Sequence, residues 1–155
     1  MKARIHAATY MTSGLAKAML RLQEEVEASG LDRSMLELVK IRASQMNGCA
    51  YCIDMHTKDA RVRGETEQRI YALNAWRETP FFDDRERAAL EWTETVTLVS
   101  ETHVPDEAYE RARQHFDERE LVALTFAVVA INGWNRLAIA FRLPAGSYQP
   151  GAISA

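Results

Sequence analysis

The sequence predicts an all-α protein, a single-domain helical bundle of about six to seven helices. Glycine and proline are scarce, with 7 and 4 among 155 residues, so few positions break the chain. Apolar residues recur with the 3.6-residue period of a helix, and no segment has the clear alternation of a strand. A chain of this length can bury one core of its own. We expect the helical domain to span residues 1–143 and a C-terminal tail to span residues 144–155.

The first two helices are defined by a glycine stop and an N-cap. The first runs from Gly14 to Gly30, and a glycine is common just after the last turn of a helix. Its apolar stripe consists of Leu15, Met19, Leu22 and Val26. The second begins after Asp32, a good N-cap residue, and ends at the turn-forming pair Asn47-Gly48. Its apolar face consists of Leu36, Val39 and Ala43.

The third and fourth helices occupy the middle of the chain. The third begins at Cys49, runs to about Arg63 and ends at Gly64. The fourth spans roughly residues 65–76 and stops before Thr79-Pro80, because the residue before a proline disfavours the helical conformation.

Three further helices complete the bundle, and they cover residues 85–100, 106–116 and 118–142. Asp83 or Asp84 is suited to cap the first of them. Pro105 stands at the start of the second, where its missing N–H does no harm. The last is the most apolar, and Leu143-Pro144 ends it.

Charge and hydropathy argue against several classes of function. A net charge of −3 and a pI near 5.8 provide no basic surface for nucleic acid or an anionic membrane. No apolar run approaches the length of a membrane span, and residues 1–14 lack the apolar centre of a signal peptide. We therefore expect a cytoplasmic protein, in a compartment where thiols stay reduced unless they turn over.

Both cysteines lie in one short segment, NGCAYCIDMH. On a helix that starts at Cys49, the residues Cys49, Cys52 and His56 stand at positions i, i+3 and i+7 and share one face. The unpaired N–H groups of the first turn stabilise a thiolate, so both thiols should have a pKa below the ~8.5 of free cysteine. His56 follows Cys52 by one turn and can exchange a proton with it. The segment therefore favours a reactive dithiol.

Other interpretations of this segment stay open or fail on spacing. Zinc stays open, because Cys49, Cys52 and His56 are three suitable ligands, although a closed site needs a fourth. Haem attachment requires a histidine directly after the second cysteine, where Ile53 stands. A thioredoxin-type site requires a strand before the CxxC, whereas a helix precedes Cys49. The plainest alternative is a pair of buried cysteines that act only as small apolar residues.

The upstream helix makes the interpretation more specific. In LELVKIRASQMNGCAYCIDMHTKDAR, Glu37 stands twelve positions before Cys49, and His56 stands four positions after Cys52. This pattern closely resembles the signature of the alkylhydroperoxidase D-like, CxxC-containing branch of the carboxymuconolactone decarboxylase family. The resemblance covers most of residues 15–143.

The resemblance implies a fold, an activity and roles for four residues. Members are all-helical, commonly trimers or hexamers, and reduce peroxides with a dithiol. Cys52 would attack the peroxide and become a sulfenic acid, and Cys49, nearer the helix start and more exposed, would resolve it to a redox-active disulfide. Glu37 and His56, with a bound water, would relay the proton. The implied partners are a small hydroperoxide and a lipoyl- or thioredoxin-like dithiol donor, with no cofactor and no metal.

One residue departs from the best-known members, which carry a histidine between the two cysteines where this chain has Tyr51. A phenol that titrates near pH ~10 donates a hydrogen bond but does not shuttle protons at neutral pH. Two other functions stay open, a lyase like the carboxymuconolactone decarboxylases themselves and a non-catalytic redox-sensing oligomer. Those lyases generally lack the CxxC, so the cysteines favour the peroxidase.

Overall fold

The computed structural model describes residues 2–151, and their regular structure is entirely helical. The α-helices are α1 Ala7–Met11, α2 Gly14–Glu27, α3 Arg33–Asn47, α4 Ala50–Val62, α5 Glu67–Ala72, α6 Asp84–Thr97, α7 Val99–Thr102, α8 Asp106–His115 and α9 Glu118–Phe141. A 3₁₀ helix, Leu73–Glu78, follows α5 directly. No strand occurs within residues 2–151, so the all-α prediction is confirmed.

Side-chain caps fix the starts of the long helices. The Asp32 carboxylate accepts a hydrogen bond from the backbone N–H of Met35 at 2.8 Å, as predicted for α3. Asp83, rather than Asp84, caps α6 and forms a reciprocal capping box with Glu86. The same box recurs at the start of α9, where a cap was not predicted.

The helix count exceeds six to seven within the described residues, because short helices were missed and long ones are divided. Neither α1 nor α7 has a buried residue, so neither carries the apolar period that signals a helix. The predicted fourth helix changes to 3₁₀ geometry at Leu73, and Ala75 leaves helical geometry with φ −119° and ψ 32°. The predicted fifth helix ends at Thr97, after which Leu98 interrupts it.

The central helix is α3, which packs against α4, α6 and α9. Leu36 and Val39 belong to a core cluster shared with α2, α6, α8 and α9. Leu38 and Ile41 belong to a second cluster shared with α4, α5, α6 and the 3₁₀ helix. Because α3 is buried on both sides, a polar residue on it such as Glu37 must find its partners inside the protein.

The last helix, α9, is long and apolar enough to cross a membrane, judged by length and composition only. The expectation that no segment reaches that length therefore needs correction. Core helices meet the same criterion, and Leu124 and Val128 of α9 are fully buried in the first cluster. Gly133 allows α9 to approach α2 closely, since a Cβ there would lie 2.7 Å from the Met19 Cε.

Residues 144–151, here called the C-terminal arm, lie against α4 of the same chain. The backbone N–H of Gly146 donates to the Asp54 carboxylate at 3.0 Å, and the Lys58 ammonium donates to the Tyr148 carbonyl at 3.0 Å. The described part of the predicted tail therefore packs on a helix of its own chain. The rest of the predicted tail, residues 152–155, lies outside the described residues.

Candidate active site

The turn between α3 and α4 is held by asparagines. The Asn47 amide lies 3.0 Å from the Asn132 side-chain oxygen and 2.9 Å from that of Asn135, both on α9. The Asn135 amide in turn donates to the Ser44 hydroxyl at 3.0 Å. Gly48 then reverses the chain with a φ of 69°, a left-handed conformation that glycine adopts without steric cost. This network fixes where the next residue, Cys49, begins α4.

Cys49 and Cys52 are joined by a disulfide at the N-terminus of α4, with 5.4 Å between their Cα atoms. Cys49 is the N-cap, and its sulfur accepts a hydrogen bond from the backbone N–H of Cys52 at 3.4 Å. The predicted position at the helix start is confirmed. The expectation that Cys49 is the more exposed residue is wrong, because each cysteine is only 1% exposed.

Glu37 and His56 form a buried pair, so the structure brings these two predicted residues together. The His56 Nδ1 atom lies 3.0 Å from Glu37 Oε2. Glu37 Oε1 also accepts from the Lys40 ammonium at 3.0 Å, and Arg63 Nε lies 3.9 Å away. A carboxylate only accepts hydrogen bonds, so Nδ1 carries the proton, and Nε2 is the nitrogen left to exchange one.

The Glu37 carboxylate is held in its charged form. Burial raises the pKa of a carboxyl group, but the hydrogen bonds and positive charges of His56 and Lys40 outweigh burial and lower the pKa of Glu37 to about 2. Lys40 is itself buried and also contacts Glu27 at 3.4 Å. The carboxylate is therefore a fixed negative charge behind the imidazole, and its hydrogen bond with Nδ1 orients the ring.

A cavity of about 310 Å³ lies beside the disulfide and beside His56 of this pair. Cys52 and His56 both line it, whereas Cys49 does not. The remaining wall is mostly apolar and aromatic and includes Ala7, Tyr10, Met11, Leu20, Met55, Trp134, Ala138 and Leu143. A volume of this size fits a small organic molecule beside the sulfur of Cys52.

Tyr51, the residue between the two cysteines, also lines the cavity. Burial and, second, the nearby Asp54 charge raise the pKa of Tyr51 above its ordinary value. The phenol thus stays protonated at neutral pH and can donate a hydrogen bond into the cavity. It does not replace a histidine as a proton shuttle.

The site also contains residues that the sequence analysis did not assign to it. They are Lys40, which pairs with Glu37, and Tyr148, which lies in the C-terminal arm. The Tyr148 hydroxyl donates to the Asp59 carboxylate at 2.8 Å, and Asp59, Glu37 and His56 have ligand-type atoms within 4.8 Å of one another. The Lys40 ammonium contacts Glu37 in the same region.

The sequence of this segment identifies the family. The sequence model of the carboxymuconolactone decarboxylase family matches residues 13–95, more than half of the chain. The chain belongs to the carboxymuconolactone decarboxylase family. The matched segment contains Glu37, Cys49, Cys52 and His56, and the predicted membership is confirmed.

One relative by sequence and two solved structures are similar to this chain to different degrees. The uncharacterized protein YdfG of Bacillus subtilis is 52% identical over 124 residues, which are 80% of this chain and 84% of YdfG. A crystal structure from Agrobacterium tumefaciens, of a protein of unknown function suggested to be the antioxidant defence protein AhpD, is 43% identical with a TM-score of 0.89. The match covers 95% of this chain and all of the other. The debrominase Bmp8 is 18% identical, with a TM-score of 0.74 over 86% of this chain and 72% of its own, and shows the shared fold alone.

Proposed function

We propose that this family member reduces hydroperoxides in antioxidant defence through a dithiol–disulfide cycle of Cys49 and Cys52. The observation that carries the proposal is a shared cavity. Cys52 and His56 both line it, and His56 is hydrogen-bonded to Glu37. A thiolate nucleophile needs a base to form and an acid to protonate its leaving group, and the imidazole serves both needs. The similarity to a suggested AhpD protein, at 43% identity, supports a peroxidase-related role.

In the first step the Cys52 thiolate attacks the terminal peroxide oxygen. The O–O bond breaks, a sulfenic acid forms on Cys52, and the alkoxide leaves as an alcohol with a proton from His56. Cys49 then attacks the Cys52 sulfur, which releases water and forms the disulfide. A dithiol donor reduces this disulfide, so that one hydroperoxide and two donor thiols give one alcohol, one water and one donor disulfide.

The assignment of roles to the two cysteines follows from their surroundings. Cys52 borders the cavity, so a substrate there reaches its sulfur directly. Cys49 lies behind it as the N-cap, close enough to form the disulfide but away from the cavity wall. Glu37 acts through His56 as its fixed counter-charge, with Lys40 keeping the carboxylate ionised.

The proposal includes the partners and the setting. We propose a lipoyl- or thioredoxin-like dithiol donor, a cytoplasmic location, and no part for nucleic acid, membrane or cofactor. We also propose a homo-oligomer, a trimer or hexamer. Three exposed apolar residues of α9 support the oligomer, and they are Val122, Phe126 and Val129. Burying such side chains against a second chain would stabilise the assembly.

The first experiment is peroxide consumption with tert-butyl hydroperoxide, using dithiothreitol or dihydrolipoamide as the donor. Wild type is compared with Cys52→Ser and Cys49→Ser. We expect turnover in wild type and none in either variant, and a sulfenic acid trapped by dimedone in Cys49→Ser alone. No turnover in wild type with titratable thiols would refute the peroxidase.

The same variants separate the two other functions. A lyase activity on a ring-opened aromatic acid would survive the loss of both thiols, whereas a dithiol peroxidase would not. A redox sensor would change its oligomeric state on oxidation without consuming peroxide. Size-exclusion chromatography of the reduced and oxidised protein, run beside the peroxide assay, distinguishes a sensor from an enzyme.

A further inference from the structure

The short helix α1 borders the cavity beside Cys52 without belonging to the hydrophobic core. None of its residues is buried, and it contributes to none of the core clusters among residues 2–151. Ala7, Tyr10 and Met11 of this helix nevertheless form part of the cavity wall. They stand at positions i, i+3 and i+4, which are neighbours on one face of a helix. The packing of α1 therefore serves the cavity and not the core.

Contacts with the end of α9 hold α1 in this place. The backbone N–H of Arg4 donates to the Phe141 carbonyl at 2.8 Å, and the Arg4 guanidinium donates to the Ala140 carbonyl at 3.1 Å. Carbonyls of the last turn of a helix have no partner within that helix, so they are free to accept these bonds. The aromatic rings of Tyr10 and Phe141 are also neighbours, with 5.3 Å between their centroids. The ring of Tyr10 is thereby anchored at the cavity.

The anchored ring lies near the chain that surrounds the cysteines. Phe141 follows Ala138 by about one turn of α9, and Ala138 belongs to the buried cluster that contains both cysteines. Tyr51, which directly precedes Cys52, packs against the same cluster and lines the cavity together with Tyr10. Burial and, second, the neighbouring Tyr51 raise the pKa of Tyr10 above its ordinary value. Both phenols thus lie on one cavity and stay protonated at neutral pH.

The size of the cavity makes the position of the Tyr10 ring important. A volume of about 310 Å³ is at the low end of the roughly 300–1,000 Å³ found for ligand sites. The wall is mixed in character, because Gln23 and Glu24 of α2 are polar, whereas the rings and methionines offer apolar surface. An aromatic ring fills space that a small side chain at the same position would leave open. The ring of Tyr10 therefore limits the room beside Cys52.

We propose that Tyr10 is a specificity-determining residue that limits how large an organic group binds beside Cys52. This inference rests on the proposed peroxidase function for the identity of the substrate as a hydroperoxide. With the ring in place the cavity favours a compact group such as tert-butyl, and a shorter side chain makes room for a larger group. Because α1 precedes residues 13–95, which match the family model, the family signature does not prescribe this part of the wall.

The kinetic test compares two hydroperoxides of different size, tert-butyl hydroperoxide and 1,1-diphenylethyl hydroperoxide. In Tyr10→Ala we expect the ratio of kcat/KM for the larger over the smaller substrate to rise about tenfold, the lower end of what one methylene in an apolar pocket discriminates. Tyr10→Phe keeps the ring and should leave the ratio unchanged. Tyr10→Trp enlarges the ring and should lower the ratio.

The matched control is Tyr109→Ala. Tyr109 also packs against an aromatic ring, that of Trp92 at 6.3 Å between centroids, but it lines a different cavity, one that neither cysteine borders. We expect its ratio to equal that of wild type. The melting temperature of Tyr10→Ala should stay close to that of wild type, because α1 adds nothing to the core.

A binding test works without turnover. The oxidised protein, labelled with ¹⁵N, is titrated with tert-butanol and with 1,1-diphenylethanol, which are the alcohol products of the two hydroperoxides. Movement of the backbone amide signals of Cys52 and His56 gives the affinity for each alcohol. We expect Tyr10→Ala to shift the relative affinity about tenfold towards the larger alcohol, and Tyr10→Phe to leave it unchanged.

The two tests separate the inference from the function on which it rests. A shifted alcohol preference in Tyr10→Ala, with no peroxide turnover in wild type, would support the role of Tyr10 and refute the peroxidase. Peroxide turnover with the same size preference in wild type, Tyr10→Ala and Tyr10→Trp would leave the peroxidase intact and overturn the role of Tyr10. A shift in Tyr10→Phe as large as in Tyr10→Ala would also overturn it, because the hydroxyl and not the ring would then decide.

Discussion

Replacing Glu37 by Gln tests the buried charge network on which the proposed proton transfer depends. The change keeps the shape of the side chain but removes the negative charge that faces Lys40 and His56 at 3.0 Å each. Lys40 is 6% exposed and would be left with only the partly exposed Glu27 as counter-charge. Breaking a buried ion pair in this way typically costs about 3–5 kcal/mol of the free energy of unfolding.

The pKa of Glu37 gives a second estimate of the same quantity. Its drop from 4.5 to about 2 corresponds to about 3.4 kcal/mol, at about 1.36 kcal/mol per pKa unit. A carboxyl whose pKa is lowered in the folded state stabilises the protein above its unfolded pKa and loses that effect as the pH falls. The contribution should be complete at pH 7 and should fall to about 1.4 kcal/mol at pH 3.

The assay is urea unfolding followed by circular dichroism, at pH 7 and pH 3, for wild type and Glu37→Gln. We expect the variant to be less stable by about 3 kcal/mol at pH 7, with a clearly smaller difference at pH 3. Glu91→Gln is the matched control, since it removes a carboxylate that pairs with the exposed Arg111, and its loss should be far smaller. Equal stability of wild type and Glu37→Gln at pH 7, or a difference that grows towards pH 3, would refute the reasoning.

Three further changes test the surroundings of the site. Gly48→Ala places a side chain at a φ of 69° and should lower the free energy of unfolding by about 1 kcal/mol. Thermal or urea unfolding measures this, and an unchanged value would argue against the left-handed turn. Asn135→Ala removes an acceptor of the Asn47 amide and should cost about 1–3 kcal/mol by the same measurement; a neutral result would contradict the asparagine network. Tyr148→Phe removes the hydrogen bond to Asp59, so amide hydrogens of the arm should exchange faster in mass spectrometry, and unaltered exchange would show that the hydroxyl does not hold the arm.

Local sequence patterns predicted much of the fold because local physics determines them. The Asp32 cap, the Gly48 turn and the cysteine at the start of α4 all depend on residues within one or two turns. The short α1 escaped prediction since it buries nothing and so lacks an apolar period. The short α7 also buries nothing, and only its first two residues were predicted, as the end of the helix over residues 85–100. A helix can be predicted from the sequence only where its amphipathic pattern is long enough to be recognised.

The candidate site was predictable where its residues share one motif and unpredictable where distant segments meet. Glu37 and His56 are 19 positions apart on neighbouring helices, and their spacing was part of the recognised pattern. Trp134 and Tyr148 reach the same region from α9 and the arm, and no spacing rule relates them to α4. The polar Asn135 within an apolar helix was a usable signal, because a buried amide must find partners.

Residues from the first helix and from the segment after the last helix form part of the cavity wall, whereas the cysteines come from the middle of the sequence. Ala7 and Leu143 both form part of the wall beside Cys52. During synthesis the dithiol leaves the ribosome before α9 and the arm exist, and domains complete their folding only when the last segments arrive. A chain that stops before α9 therefore carries two unsheltered thiols, open to any oxidant in the cell. Ala138 of α9 belongs to the same buried cluster as Cys49 and Cys52, so the sulfurs gain this cover only once α9 has been added to the chain.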